Sequence, residues 1–347
     1  MSDALKQSYC LALDAMGGDN APHSVIAGAA LCNKKHPDVN FIFFGDEDKL
    51  TPLLEKFPKL QAQSKIEHTI DVISCEEKPS IAVRKGRKSS MTLAINAVKD
   101  GRADAVVSAG NTGALMAISK LALRPLEDID RPAICTFMPT RKNGNVVLLD
   151  MGANATCDAE NLAQFAIMGD AFAKAALNVS DPKIGVLNIG SEELKGHETV
   201  RVAHQILSEE YTHINYSGYV EGDQIMSGDF DVVVTDGFTG NVTLKAIEGT
   251  AKLITSKFKH GFKRSIFGII GLLIAFFPLR KIFKNLDPRK YNGAMFLGLN
   301  GISVKSHGNA DKVSFCNALE VTINLIENKI NEKIIEELKF NNNSSSS

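Results

Sequence analysis

Short apolar runs recur along the chain with room for helices between them. They are YCLAL (9–13), VNFIFF (39–44), ADAVVS (103–108), AICTFM (133–138), NVVLLD (145–150), IGVLNI (184–189) and DVVVTD (231–236). Most do not alternate with polar residues, so both faces of each strand need cover, as in a parallel sheet sandwiched by helices. Between them, residues 90–103, 158–177 and 197–210 repeat apolar positions at steps of three and four, the period of a helix with one buried face. Asp158 and Thr199 fall where a cap or first-turn residue is expected. Strands alternating with helices predict an α/β fold with a helix-covered sheet. No linker rich in Pro, Gly or Ser divides the chain. The expectation is one domain over residues 1–338 and, from 339 to the closing NNNSSSS, a disordered polar tail.

Two of the strand ends are written alike. VVSAGNTG (106–113) and VVTDGFTG (233–240) align without gaps as V-V-[S/T]-x-G-x-T-G. Each sits where a strand ends and a helix begins. Ligands of open α/β sheets bind outside the carboxyl ends of strands. Glycines there let backbone N–H groups turn to a ligand, and a helix start adds unpaired donors and a positive dipole end. Each copy therefore reads as a candidate anion cradle, against the simpler reading of a tight turn and a cap. The usual nucleotide motifs, G-x-x-x-x-G-K-[S/T] and G-x-G-x-x-G after a strand, are missing, which points to a smaller anion such as free phosphate. Other polar residues gather at strand ends: Asp14, Gly17, Gly18, Asp19 and Asn20; Asp150, Gly152 and Asn154; Asn188, Gly190, Glu192, Lys195 and His197; Glu221; Lys305 and His307. Many such ends on one sheet edge is the pattern of an active site.

Composition narrows the field. The chain has 347 residues, 44% of them hydrophobic, enough for a large core. A formal net charge of −1 argues against nucleic acid as a partner. The six cysteines are scattered without a C-x-x-C pair, which reads as reduced thiols and no metal site. The N-terminus MSDALKQS is polar and is not the start of a signal peptide.

The motifs LALDAMGGDNAP, SAGNTGALMA, NIGSEELKGHE, VEGDQI, DGFTGNVTLKAIEG and GLNGISVKSHGNAD, in that order between about residues 8 and 330, closely resemble the bacterial phosphate acyltransferase of phospholipid synthesis, the PlsX type. The resemblance implies a three-layer α/β/α sandwich with a mostly parallel sheet. That fold is akin to the isocitrate and isopropylmalate dehydrogenases and the phosphotransacetylases. It implies transfer of a long-chain fatty acyl group from acyl carrier protein to inorganic phosphate, giving acyl-phosphate. It further implies a homodimer at the inner face of the cell membrane, near the membrane glycerol 3-phosphate acyltransferase that uses the product. No cofactor is implied.

The residues suit that chemistry. Phosphate is a small dianion, and a thioester carbonyl under attack develops an oxyanion that preformed donors stabilise. No Ser-His-Asp signature is present and no cysteine lies in a motif, so direct attack by phosphate is simpler than an acyl-enzyme. The expected substrate-binding residues are Asn111, Thr112 and Gly113 for phosphate, with Asp14, Gly17, Gly18, Asp19, Asn154, Gly237 and Thr239 around them. Lys195 is expected to neutralise phosphate or the oxyanion, and Asn241 to donate to the thioester carbonyl. Asp236 is expected to orient Lys195 or a neighbour, and His307 to assist proton handling.

One further stretch is unusual. Residues 265–279 carry no charge, eight Lys and Arg flank them between 252 and 284, and no acid lies between Glu248 and Asp287. As one helix the run would measure ~22 Å, short of a ~30 Å hydrocarbon core, and Pro278 would break it. A helical hairpin near 255–290 lying in the surface of an anionic leaflet fits that pattern, and acidic carrier protein suits the same basic surface. A short-chain acyl-coenzyme A phosphotransacetylase has no need of such a segment. A non-enzymatic membrane scaffold is the third reading.

Overall fold

In the computed structural model, residues 8–263 and 292–344 are described. In chain order their elements are β1 (Cys10–Asp14), α1 (His23–Lys35), β2 (Asn40–Gly45), α2 (Glu47–Leu54), α3 (Pro58–Ala62), β3 (Ser64–His68), α4 (Pro79–Lys85), α5 (Ser90–Lys99), β4 (Ala105–Ser108), α6 (Thr112–Leu123), β5 (Ala133–Pro139), β6 (Asn145–Leu149), α7 (Ala159–Ala176), β7 (Ile184–Leu187), α8 (Glu198–Glu209), β8 (Tyr216–Val220), β9 (Val232–Val234), α9 (Gly237–Lys263), β10 (Ala294–Leu297), β11 (Ile302–Lys305), α10 (Lys312–Glu327) and α11 (Ile330–Ser344). The strands form one sheet in the order β3-β2-β1-β4-β11-β10-β5-β6-β9-β7-β8.

Alternation along each strand feeds two separate cores, which is why the runs are apolar throughout. Leu11, Leu13, Phe41, Phe43 and Val107 pack with α1, α7, α10 and α11 on one face. Ala12, Ile42, Phe44 and Val106 pack with α4, α5 and α6 on the other. The three-layer sandwich follows. Asp158 caps α7 as expected, in a reciprocal capping box with Asn161. Thr199 falls in the first turn of α8, as expected; the N-cap is His197, whose side chain makes no capping bond. The tail expected to be disordered from 339 is helical as far as Ser344, within α11. Most of the hairpin expected at 255–290, including the whole uncharged run, lies outside the described residues. Among the described residues no helix is long and apolar enough to cross a membrane.

Pairing corrects one expectation with consequences for the site. The sheet is mostly parallel, but β11–β10, β10–β5 and β5–β6 are antiparallel. Three reversals turn the group β6, β9, β7, β8 against the group β3, β2, β1, β4, β11. The polar strand ends therefore do not share one edge. Those of β1, β4 and β11 open at one edge of the sheet, and those of β6, β9, β7 and β8 at the other.

Candidate active site

The first group is built across three neighbouring strands. Leu13 pairs with Val107 and Ser108 with Lys305, so Asp14, Ser108 and Lys305 stand at one level on the face covered by α4–α6. Asp14 is buried and accepts from the hydroxyls of Ser90 and Ser108, each at 2.6 Å. Burial raises its carboxyl pKa, and those hydroxyl bonds oppose the rise. Gly17 lies against it: a Cβ there would come 2.3 Å from Asp14 Oδ2 and 2.8 Å from the Gly110 nitrogen. Asp19 N donates to Gly308 O at 2.8 Å, which ties the loop after β1 to the loop after β11.

Asn111 serves a different purpose from the one expected. Its Oδ1 caps α6 by accepting from Ala114 N at 3.0 Å, and its Nδ2 donates to the carbonyls of Ser74, Cys75 and Glu77. The side chain is thus occupied in holding loop 74–77 against the helix start. The N–H groups of Thr112 and Gly113 have no partner among the described residues, as the first turn of a helix dictates. Gly113 packs against α4, where a Cβ would come 2.7 Å from Pro79 Cγ.

The second group centres on Asp150, also buried. Its Oδ1 accepts from the nitrogens of Ile134, Gly152 and Ala153, and its Oδ2 from Asn154 N and Nδ2. Burial raises its pKa and the backbone donors oppose the rise. This second copy of the repeat differs from the first in where the helix begins. Asp236, aligned with Ala109, caps α9 by accepting from Thr239 N at 2.9 Å and Thr239 Oγ1 at 2.7 Å. Gly237 N donates to Asn154 O at 2.8 Å. Donors left open in the first copy are filled here by the chain itself, Thr239 N and Gly240 N both bonding to Asp236, so only the first copy leaves them free for an outside acceptor. Sequence comparison of the copies concealed this because the capping residue shifts by two positions.

Lys195 and Asp236 are not brought together. Lys195 is exposed and pairs with Glu192 at 2.8 Å, and that bond chiefly raises its pKa. It sits in a loop folded about Asn188, whose Nδ2 donates to Lys195 O at 3.0 Å. Asn241 is exposed and borders the DMGAN loop, 3.5 Å from where a Cβ of Gly152 would stand. It also leads back to the first group. Asn241, Lys245, Glu248 and Lys252 recur at helical spacing on one stripe of α9. The last three act electrostatically on His307, and Lys245 on Lys305. Helix α9 thus starts in the second group and carries its polar stripe to the first. His307 stays open to solvent at its rim, yet the chain around it lowers its imidazole below the ordinary histidine value by desolvation. Its backbone N–H is fixed by Asn292 Oδ1 at 2.8 Å.

One residue of the first group was noted in the sequence only as a strand-end polar residue. Lys305, partly buried, donates from Nζ to Ala109 O at 3.4 Å and to Ser306 O. Burial pushes its ammonium down to about 8. The signal available in the sequence was its place at the end of a strand beside the first repeat. Among the described residues no cluster of His, Cys, Asp and Glu is suited to hold a metal ion.

The sheet order and the helices on both of its faces define a three-layer α/β/α fold. Solved structures similar in fold include a phosphotransacetylase from Streptococcus pyogenes, 17% identical with a TM-score of 0.63 over 93% of this chain and 95% of that one. A branched-chain phosphotransacylase from Enterococcus faecalis V583 has a TM-score of 0.57 at 13% identity, over 92% and 99%. Similarity this low establishes the fold. The particular family comes from sequence. Residues 9–333 match the family described as "Fatty acid synthesis protein". The phosphate acyltransferase of Rhodospirillum centenum is 51% identical over 96% of this chain and 94% of its own. That of Ehrlichia ruminantium is 47% identical over 97% and 100%. The chain belongs to the phosphate acyltransferase family and is an acyltransferase.

Proposed function

We propose that the enzyme moves a long-chain fatty acyl group from acyl carrier protein to inorganic phosphate, producing acyl-phosphate for phospholipid synthesis. A phosphate oxygen attacks the thioester carbonyl, the carbon–sulfur bond breaks, and the thiolate leaves and takes up a proton. Near-full-length identity of about half to named phosphate acyltransferases carries the reaction class. The open donors of Thr112 and Gly113 beside the Asp14 floor suit the phosphate. Asn241, and Lys195 on its exposed loop, are assigned to the developing oxyanion and the leaving group, and His307 to the proton. Asp236, Asn154, Gly237 and Thr239 hold the start of α9 and so the position of Asn241. The long-chain donor is favoured by the uncharged, cation-flanked stretch 265–279, which places a greasy product beside a lipid surface. A homodimer, peripherally bound at the inner face of the cell membrane and close to the membrane acyltransferase that consumes acyl-phosphate, completes the proposal.

The test follows the thiol. Purified enzyme and long-chain acyl carrier protein should release free carrier thiol only when phosphate is added. Equal release without phosphate means hydrolysis or an acyl-enzyme route, and contradicts direct transfer. Faster turnover on short-chain acyl-coenzyme A would replace the long-chain donor.

A further inference from the structure

We propose that Lys305, and not the exposed Lys195, is the cation that holds phosphate for the reaction, from the level of Asp14 and Ser108 behind the start of α6. The inference rests on the acyl-transfer reading above and deepens it.

Three observations meet at this residue. An ammonium set back from the surface is costly unless a negative charge answers it. Lys305 has no carboxylate in ion-pair contact among the described residues. Cys75 on the loop before α4, Asp14 and Asp19 act on it from a distance to raise its pKa, and Lys245 on α9 acts to lower it. Asp14 is engaged by two hydroxyls, and the groups that do touch Nζ are carbonyls, which leave the charge uncompensated. An ammonium carries three donors, and Ala109 and Ser306 take two; none of the described residues takes the third.

Location is the second observation. Lys305 pairs in register with Ser108, the last residue of the strand that feeds the α6 cradle. Its contact with Ala109 O puts Nζ against the chain three residues before the open N–H of Thr112. Cation and helix-start donors therefore serve one anion from two sides, the geometry in which backbone donors and a point charge reinforce each other.

The third is contrast. Lys195 already has a carboxylate, Glu192, at 2.8 Å and lies in solvent, where a phosphate would have to displace that partner for little gain. Lys305 has the opposite situation on both counts. Burial holds its ammonium near 8, so the free enzyme begins to lose the charge just above neutrality. A bound dianion would restore it.

The source of the phosphate group needs separating, because a carrier protein also presents one on its phosphopantetheine arm. Michaelis constants are measured for inorganic phosphate and for acyl carrier protein in wild type, Lys305→Met and Lys305→Arg, with thermal melting as the folding control. The methionine variant should raise the constant for inorganic phosphate by about tenfold or more and leave that for the donor near wild type. In wild type, taken relative to the arginine variant whose charge does not titrate, the constant for phosphate should stay level below pH 8 and climb above it towards the methionine variant's value. Phosphate's own ionisation is common to both and cancels in the comparison. An unchanged phosphate constant in the methionine variant overturns the assignment. So does a rise confined to the donor constant, which would give the site to the carrier's arm. If the methionine variant does not fold, an arginine variant that follows the wild-type pH curve overturns it instead. Absence of acyl-phosphate in the wild type sinks the underlying reading, a result distinct from all of these.

Discussion

Lys195 and Gly240 separate chemistry from framework. Lys195 is exposed and bonded within its own loop, so Lys195→Ala should leave the melting temperature unchanged. If it stabilises the developing charge, turnover at saturating phosphate and donor should fall by ~10²–10³. Wild-type turnover would remove it from the mechanism. Gly240 is the reverse case. A Cβ there would stand 1.9 Å from Asp150 O, inside the backbone of the second group. Gly240→Ala should cost about 3 kcal/mol or more in denaturant unfolding, since backbone cannot yield as a side chain does. An undiminished midpoint would mean the α9 start is less tightly held. Local roles of this kind were legible in sequence where the partner is near: Asp158 caps α7 because Asn161 is three residues away. Of the two partners expected for Asp236, Lys195 or a neighbour, it holds the neighbour Thr239, while Lys195 pairs with the nearer Glu192. Asn111 opens α6 as its place in the sequence suggested, but the further partners of its side chain, Ser74 to Glu77, lie some 35 residues upstream, and no spacing reveals them.

Elements were legible in proportion to their burial. The seven apolar runs became strands because both of their faces are covered. β3, SKIEH, lies at the sheet edge with its residues half-exposed, so it carries no apolar run. β10 and β11 are four residues each within a glycine-rich stretch, too short to stand out as apolar runs, and β11 was marked only by the polar residues at its end, Lys305 and His307. The stretch 265–279 makes its own prediction. On the proposed membrane reading, apolar residues such as Phe267, Ile270 and Leu273 would supply insertion, and the flanking cations ~1 kcal/mol each towards anionic lipid, an attraction that salt screens. Sedimentation with anionic vesicles should weaken at high salt and vanish in Ile270→Glu combined with Leu273→Glu. Activity on soluble acyl carrier protein should persist. A wild type that stays in the supernatant, or a variant that unfolds or changes its oligomeric state, would make the segment an interior or interface element.

At the scale of the whole molecule, the reversal in the middle of the sheet is the feature sequence could not supply. Strand direction depends on pairing across residues far apart, and the apolar runs look the same in either sense. The molecule answers with α9, which leaves the second group and brings the Asn241 stripe to the first. At the far side, Lys174 on α7 joins Asp170, at 2.7 Å, to Glu337 on α11, at 2.8 Å. Burial raises the Asp170 carboxyl to about 6 from an ordinary 3.8, against the pull of Lys174. The neutral acid is the form the fold prefers. Its contribution is complete below pH 3.8 and is lost as pH rises through about 6. Asp170→Asn should therefore raise stability at pH 8, by on the order of 1–3 kcal/mol, with the gain shrinking as pH falls towards 4. A variant destabilised at pH 8 would mean the Lys174 pair outweighs desolvation.

In the proposed reaction the enzyme makes a carbon–oxygen bond between a fatty acyl group and free phosphate. The decisive measurement is mass spectrometry of the products from long-chain acyl carrier protein and phosphate, with the enzyme as the only other component. Acyl-phosphate should appear, in an amount equal to the carrier thiol released and dependent on phosphate concentration. Free fatty acid as the primary product, with no acyl-phosphate preceding it, would contradict it.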